Sequence, residues 1–410
     1  MRLILHMAVG NLRNHRLRGF ISGFLIFFST VAIIIATTIC TTINNNMEAA
    51  VIHSCTGDLQ IHNSEMADID VYSSTVAEIP LLLDSGKVKD QVSTPGIENI
   101  ASRLRLQGLV MTEDQSTSVT LTGIESEIEK NISTKLMIIE GSYITKENGI
   151  IVGKDLYDDL EAEIGQAMTF YSTDLEGNVT DIPMVIEGVF TSDGLSIFMD
   201  TYLFAELNYV RKEIGFYNEE ATEVVIDLDG SVPKEKVITN IRKGIIEKGQ
   251  SLRIDKWEDI AQAYSSIISA STLIPVAMIV LIFIVVGLGL VNMVIMAILE
   301  RMKEVKVLIA LGTRHKSIIF INSLEYLLLG IIASAIGGLV CVPVILILGN
   351  IGIPATTGMI EYVFGGSKLY MGFQPLIIFR TVVILTLFPA LIASIISSKS
   401  TKNISLVNIS

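Results

Sequence analysis

Residues 292–338 read NMVIMAILERMKEVKVLIALGTRHKSIIFINSLEYLLLGIIASAIGG. An apolar run ends, a charged stretch follows, and a second apolar run begins. Within the charged stretch Glu300 and Glu304 stand four residues apart with Lys303 and Lys306 interleaved, while Val305, Leu308, Ile309 and Leu311 form a short apolar ridge. Gly312 breaks the helix, and Arg314 and Lys316 lead the chain back into apolar sequence. An apolar ridge on a charged loop is either a docking surface for a partner or a solvated turn between two membrane spans, and local chemistry weighs the two evenly.

Outward from this stretch the apolar residues gather into four runs. Half of the 410 residues are hydrophobic and the mean hydropathy is +0.55. The bulk fraction says little, because soluble domains reach about 45–50% apolar; the distribution decides. Crossing a bilayer core takes roughly 20 apolar residues of helix, and runs of that length occupy 20–43, 267–299, 318–348 and 374–397. The first is longer than the roughly 7–15 apolar residues of a cleaved leader and has no A-x-A site after it, so it is expected to remain as a helix. Residues 44–265 are of ordinary mixed composition and numerous enough to bury a core of their own, in two lobes. The expected fold class is membrane α-helical, with four transmembrane helices and a large mixed α+β extracytoplasmic domain.

Charge orients these parts. Residues 43–265 hold 17 Lys and Arg against 39 Asp and Glu, a net of −22, and the remainder holds 13 against 4, a net of +9. The cations outside the acidic region cluster at Arg2, Arg13, Arg16 and Arg18, at Arg301, Lys303, Lys306, Arg314 and Lys316, and at Lys399 and Lys402. Short loops rich in Lys and Arg stay in the cytoplasm. All three clusters fall on one side of a four-span chain. A cytoplasmic or interfacial basic helix is expected over 1–19, a cytoplasmic loop over 300–317 and a cytoplasmic tail over 398–410, with 44–265 and the short loop 349–373 outside. Leu5, Val9 and Leu12 recur at helical spacing in the first segment, as an interfacial helix requires.

Within the outer domain, 58–62, 118–121 and 223–228 alternate as strands, and 150–152 reads as a buried strand stopped by Gly153. Residues 155–162 look helical, and 168–171 with 184–190 form a hairpin pair around 174–178. Near its end a strand at 223–228, a helix from Pro233 to Lys248 and a strand at 251–254 suggest a β-α-β unit, with Pro at the helix start and Gly249 beyond its end. Three cysteines, Cys40, Cys55 and Cys341, make no disulfide framework.

Catalytic motifs are missing. No G-x-x-x-x-G-K-[ST] is present to cradle a nucleotide, nor H-E-x-x-H, a C-x-x-C pair or G-x-S-x-G, and the five histidines are scattered. The chain is expected to bind no cofactor or metal and to have no nucleic-acid partner. Glu325, one to two turns inside the third span, carries a carboxylate where insertion costs on the order of 2.5–3.5 kcal/mol at the bilayer centre. It is read as a coupling contact, paired with Arg314 or Lys316. Gly287, Gly289, Gly330, Gly337 and Gly338 permit close helix approach, Arg380 snorkels, and Phe20, Phe24, Phe27 and Phe28 lie largely on one helix side, which faces lipid or an acyl chain.

The stretch ERMKEVKVLIALGTRHKSI resembles the ER-x-[KR]-E-[IV]-x-[IV]-L-[RK]-A-L-G signature of FtsX/MacB-type ABC transporter permeases. Glu300, Arg301, Lys303, Glu304, Val305, Leu308, Ala310, Leu311 and Gly312 carry it; Lys306 and Ile309 depart from the common residues, and Thr313 follows Gly312 directly where the family usually has one more small residue. Glu325, Gly330 and Gly337 match the pattern of the following span, Asn292 the polar residue before the loop, and NLRNHRLR and ISLVNIS the two ends. Stretches such as TGDLQIHN, LTGIESEIE and EGSYITKENGIIVGKDLYDDLEAEIG look most like the lipoprotein-releasing Lol permeases. The resemblance implies a non-catalytic permease that pairs with a second copy or a paralogue. It would sit on cytoplasmic ABC ATPase subunits, which bind the ATP and Mg, and would carry a domain similar to the MacB periplasmic core. Residues 300, 301, 303–305, 308 and 310–312 would receive the ATPase, and Asn292 and Glu325 would pass its motion through the membrane. Membrane lipid and a lipoprotein substrate are the other implied partners, with a drug or peptide exporter and a signal-transmitting permease as alternatives.

Overall fold

The structure is a computed structural model that describes residues 16–64, 82–92, 94–112, 116–174, 177–216, 218–247, 251–261, 265–266, 269, 273–300, 307, 313 and 315–407. The interfacial segment expected over 1–19 lies outside them as far as residue 15. In chain order the elements begin with α1 (Arg16–Val51), a π-helical turn (Ile52–Thr56), β1 (Leu59–Asn63), β2 (Leu83–Asp84), α2 (Ser85–Val92), β3 (Ile97–Met111), β4 (Ser116–Ile124) and α3 (Ser126–Ile132). There follow β5 (Leu136–Gly141), β6 (Gly149–Gly153), α4 (Lys154–Asp159), β7 (Ala167–Thr173), β8 (Val179–Ser192), α5 (Ser196–Met199), β9 (Tyr202–Glu206) and α6 (Leu207–Glu213). The domain closes with β10 (Glu220–Ala221), β11 (Glu223–Leu228), α7 (Lys234–Glu247), β12 (Leu252–Lys256) and α8 (Trp257–Ile260). Last come α9 (Leu273–Glu300), α10 (His315–Ile351), β13 (Ile353–Pro354), α11 (Gly358–Phe364), β14 (Lys368–Leu369) and α12 (Pro375–Val407).

Four of these helices, α1, α9, α10 and α12, are long and apolar enough to cross a membrane. Together they form one compact unit, and residues 43–269 with 354–369 form the other. In the helical unit Ile26, Val286, Leu290 and Ala333 meet in one cluster, and Val294, Ile298, Tyr326 and Ala393 in another. Glycine sets the closest approaches: a Cβ on Gly330 would stand 2.7 Å from the Thr386 carbonyl oxygen, and one on Gly337 would stand 2.9 Å from the Thr30 Cβ. Three hydroxyls in α1 return to their own helix: Ser29 Oγ donates to the Leu25 carbonyl at 2.5 Å, Thr30 Oγ1 to Ile26 at 2.8 Å and Thr41 Oγ1 to Thr37 at 2.7 Å. In hydrocarbon that is how a lone hydroxyl is satisfied.

At 1.5 Å per residue α1 is about 54 Å long, against a hydrocarbon core of about 30 Å. Its last turns belong to the polar unit, where Met47, Ala50 and Val51 join Phe190, Leu195, Met199 and Phe204 in a buried cluster. Gly57 then turns the chain into β1 at φ +64°, and a Cβ there would stand 2.3 Å from Val225 Cγ1, so only glycine fits.

The polar unit is built on a ten-stranded mixed sheet in the order β12-β1-β11-β3-β4-β9-β6-β8-β5, with β7 pairing β3 and β8. One core lies at the β12-β1-β11 end, where Leu59, Ile61, Val224, Ile226 and Ile254 pack with Val88 of α2 and Val237 and Ile241 of α7. A second lies further along, where Leu104, Leu121, Ile150, Phe170 and Leu203 pack with Val210 of α6. The β-α-β unit expected near the domain's end forms as β11, α7 and β12, its two strands running parallel in the same sheet. β11 and β12 are not neighbours, because β1 lies between them, antiparallel to both. The hairpin at 168–190 forms as β7 and β8, in register from Ala167↔Val185 to Thr173↔Val179.

The face of the sheet opposite the first core is charged and yet buried. Arg103 on β3 grips Glu129 of α3 with two hydrogen bonds, Nη2 to Oε1 at 2.5 Å and Nε to Oε2 at 3.1 Å, and also donates to the Cys55 carbonyl of the π-helical turn. Its side chain is 3% exposed and that of Glu129 0%. Arg105 donates to Glu223 of β11 at 3.0 Å. Breaking such a pair leaves an uncompensated buried charge. Glu129→Leu in the full-length chain is therefore expected to cost about 3–5 kcal/mol, and Arg103→Met with Glu129→Leu far less. Amide exchange in β3 and β4 reports both; equal losses would exclude a stranded charge as the cause.

Candidate functional site

The loop expected to meet a partner begins where α9 ends, at an exposed Glu300. Arg301, Lys303, Glu304, Val305, Leu308, Ala310, Leu311 and Gly312 lie outside the described residues, while Val307, which is described, is helical and 57% exposed. Asn292 stands exposed on α9 whereas Glu325 is buried on α10, at 7% exposure, so the two expected membrane-coupling residues occupy different environments. One turn before Glu325, Asn322 Nδ2 donates to Ser397 Oγ of α12 at 3.1 Å. Twelve residues beyond Asn322 along α10, Ser334 Oγ shares a hydrogen bond with Thr386 Oγ1 at 2.8 Å. Polar contacts therefore tie α10 to α12 at two levels. Arg314, one cation expected beside Glu325, lies outside the described residues, and Lys316 is exposed. On α1 the rings of Phe20, Phe24 and Phe28 follow one another at 6.3 Å, all exposed.

A second place was not foreseen. The segment 354–369 between α10 and α12 belongs to the polar unit. Thr357 caps α11, its Oγ1 accepting from the Ile360 N–H at 3.3 Å, and Gly365 ends the helix in the left-handed conformation. Tyr362 then enters the cluster of Met47, Val51, Phe190, Leu195 and Trp257. Backbones touch here: a Cβ on Gly365 would stand 2.4 Å from Asn46 C and Met47 N, and one on Gly194 would stand 2.4 Å from Gly365 C.

Two carboxylates close this contact from opposite sides. Asp193 Oδ1 accepts from the Ser367 N–H at 2.7 Å while its Oδ2 pairs with Lys135 Nζ at 3.1 Å. Glu361 accepts in return from the Gly194 N–H; burial and the charge of Asp193 push its carboxyl up. Behind them Asp200 holds the end of β8, accepting from Thr191 Oγ1 at 2.7 Å and the Ser192 N–H at 3.1 Å. A sequence reading passes over this place because EYVFGGSK looks like loop. Its available signal is a Tyr and a Phe followed by two glycines, more than a plain turn needs. Arg103, Glu129 and Glu223 were missed for another reason: charged residues alternating with Leu104 and Leu106 look like the wet face of a strand.

Among the described residues no three His, Cys, Asp or Glu side chains are grouped to hold a metal ion. The architecture is that of an integral membrane protein whose four spans accompany a large mixed α/β domain. Residues 276–406 match the family model described as the FtsX-like permease C-terminal domain. Among solved structures the chain is similar to the periplasmic region of MacB from Actinobacillus actinomycetemcomitans, at 12% identity over 52% of this chain and 95% of that one, with a TM-score of 0.38. It is also similar to the extracellular domain of the ABC-type transporter YknZ from Gram-positive bacteria, at 11% identity over 49% of this chain and 100% of that one, with a TM-score of 0.36. No curated protein matches the chain.

Burial, with the charges of Asp155 and Glu361, pushes Asp200 up to about 6 against its two hydrogen bonds. The folded chain thus holds this proton more tightly than an unfolded one, whose Asp titrates near about 3.9. The stability that results is complete below about pH 3.9 and is lost as pH rises through about 6. Exchange protection at the end of β8 in the full-length protein, corrected for intrinsic rates, is expected to grow from about pH 7 to about pH 5 relative to β4, and Asp200→Asn to abolish that growth.

Proposed function

We propose that this chain is the non-catalytic membrane subunit of an ATP-driven FtsX/MacB-type complex, and that its polar domain moves when a partner hydrolyses ATP. The observation that carries this is the family match over 276–406, which spans the cationic loop between α9 and α10. Cytoplasmic ABC ATPase subunits dock on residues 300–312, their ATP and Mg remaining their own. The Lys and Arg distribution supports placing that loop and both ends of the chain in the cytoplasm and the acidic domain outside. Two permease copies, or one and a paralogue, make up the membrane part.

The substrate class we favour is a lipidated or amphiphilic molecule, a lipoprotein above all, lifted from the membrane towards the envelope. Its support is the likeness of the domain's sequence stretches to lipoprotein-releasing permeases, and the exposed Phe20, Phe24 and Phe28 column, which suits acyl chains.

Glu304→Ala combined with Leu308→Ala is expected to abolish permease-stimulated ATP turnover in the reconstituted complex while membrane insertion and permease yield stay normal. Unchanged turnover defeats the coupling assignment. Single cysteines at position 305 and in place of the exposed Glu147 are expected to react with a membrane-impermeant reagent from opposite faces, and labelling from the same face overturns the topology.

A further inference from the structure

The first and last strands of the polar unit's main sheet lie side by side. β1 follows α1 through the π-helical turn, β12 is the last strand before α9, and they pair antiparallel from Leu59↔Lys256 to Asn63↔Leu252. β12 ends the sheet, so β1 is its one strand neighbour among the described residues. What joins their side chains on the charged face is His62. Its Nε2 lies 2.9 Å from Asp255 Oδ2 and its Nδ1 lies 3.0 Å from the Asn63 carbonyl oxygen.

Both of those partners only accept hydrogen bonds. A neutral imidazole has a single N–H and serves one of them; the imidazolium serves both. Further charges face the ring from each neighbouring strand. On β12, Arg253 Nε donates to Asp255 Oδ1 at 2.7 Å. On β11, Glu223 stands opposite His62 in register and is shared with Arg105 of β3 at 3.0 Å and Arg103 at 3.8 Å. Asp255 also lines a cleft of about 520 Å³ with Arg242, Arg253, Lys256 and Asp259, which gives protons a route from solvent.

We propose that His62 is a proton-operated latch on β12: as imidazolium it fastens the strand that leads towards α9, and on losing its proton it lets that strand loosen. Burial alone pulls the imidazole down. The hydrogen bonds to Asp255 and Asn63 and the charges of Asp255 and Glu223 outweigh it, and the ring holds its proton above its ordinary range. Burial would raise Asp255, yet the bonds from His62 and Arg253 leave it lowered, so the pair stays ionised. The stabilisation is complete below about pH 6.5, where a free imidazole titrates, and is lost as pH rises through the higher value of the folded state. The latch belongs to the domain itself and is independent of what the permease moves.

The test is amide exchange of residues 252–256 in the full-length protein in nanodiscs, from about pH 6 to about pH 8.5, corrected for intrinsic rates and referenced to β6. In the wild type, exchange is expected to rise with pH by up to about tenfold for each unit by which folding raises the proton affinity of His62. His62→Gln, which cannot titrate, is expected to give a flat profile. A flat wild-type profile, or the same rise in His62→Gln, overturns the proposal. If His62→Gln does not fold, Asp255→Asn serves instead: it keeps an acceptor but removes the charge, so the rise is expected at lower pH, and an unshifted rise overturns the latch.

Discussion

The polar domain depends on the pairing of β1 with β12. A domain inserted between two membrane helices leaves one helix and must return to the next, so its chain ends have to be brought together. Closing so long a loop costs entropy that grows slowly with length, but the cost must be met by contacts made at the closure. Five residues of antiparallel ladder meet it, with Ile61 and Ile254 on the apolar face and His62 and Asp255 on the other. β11 then joins the free side of β1 and β3 joins β11, so the rest of the sheet is assembled outward from that pair.

The two faces of this end of the sheet solve opposite problems. Leu59, Val224 and Ile226 bury against α2 and α7, where area removed from water does the stabilising. Across the strands, Arg103, Arg105, Glu129 and Glu223 are removed from water too, and their mutual attraction mainly offsets the cost of desolvation. What such a row adds is uniqueness. A register slip of one residue would bring Arg103 and Glu223 into the apolar layer, so the charges specify the alignment of β3 with β11 and the position of α3 above them. The bond from Arg103 to the Cys55 carbonyl extends that specification to the π-helical turn.

Attachment of 354–369 follows a different logic, close backbone contact rather than charge. Gly194 and Gly365 cross where no side chain fits, Tyr362 fills the apolar cluster beyond, and Asp193 and Glu361 each accept from the other segment's backbone. Burial and the charge of Asp193 raise the Glu361 carboxyl, so the folded chain holds a proton there more readily than an unfolded one.

By itself the sequence determined the four spans, since twenty-odd apolar residues in hydrocarbon have no alternative to helix that satisfies their backbone. It determined the segregation of charge, the strands that alternate cleanly, such as 223–228, and the likeness of 292–338 to FtsX-like permeases. Only the tertiary structure decided that β1 wedges between β11 and β12, because periodicity tells which residues share a face and not which strand lies alongside. It also decided that Arg103 and Glu129 are buried and that 354–369 is part of the polar domain. Those outcomes depend on what covers a face, and the covering residues come from chain segments 26 to more than 150 positions away.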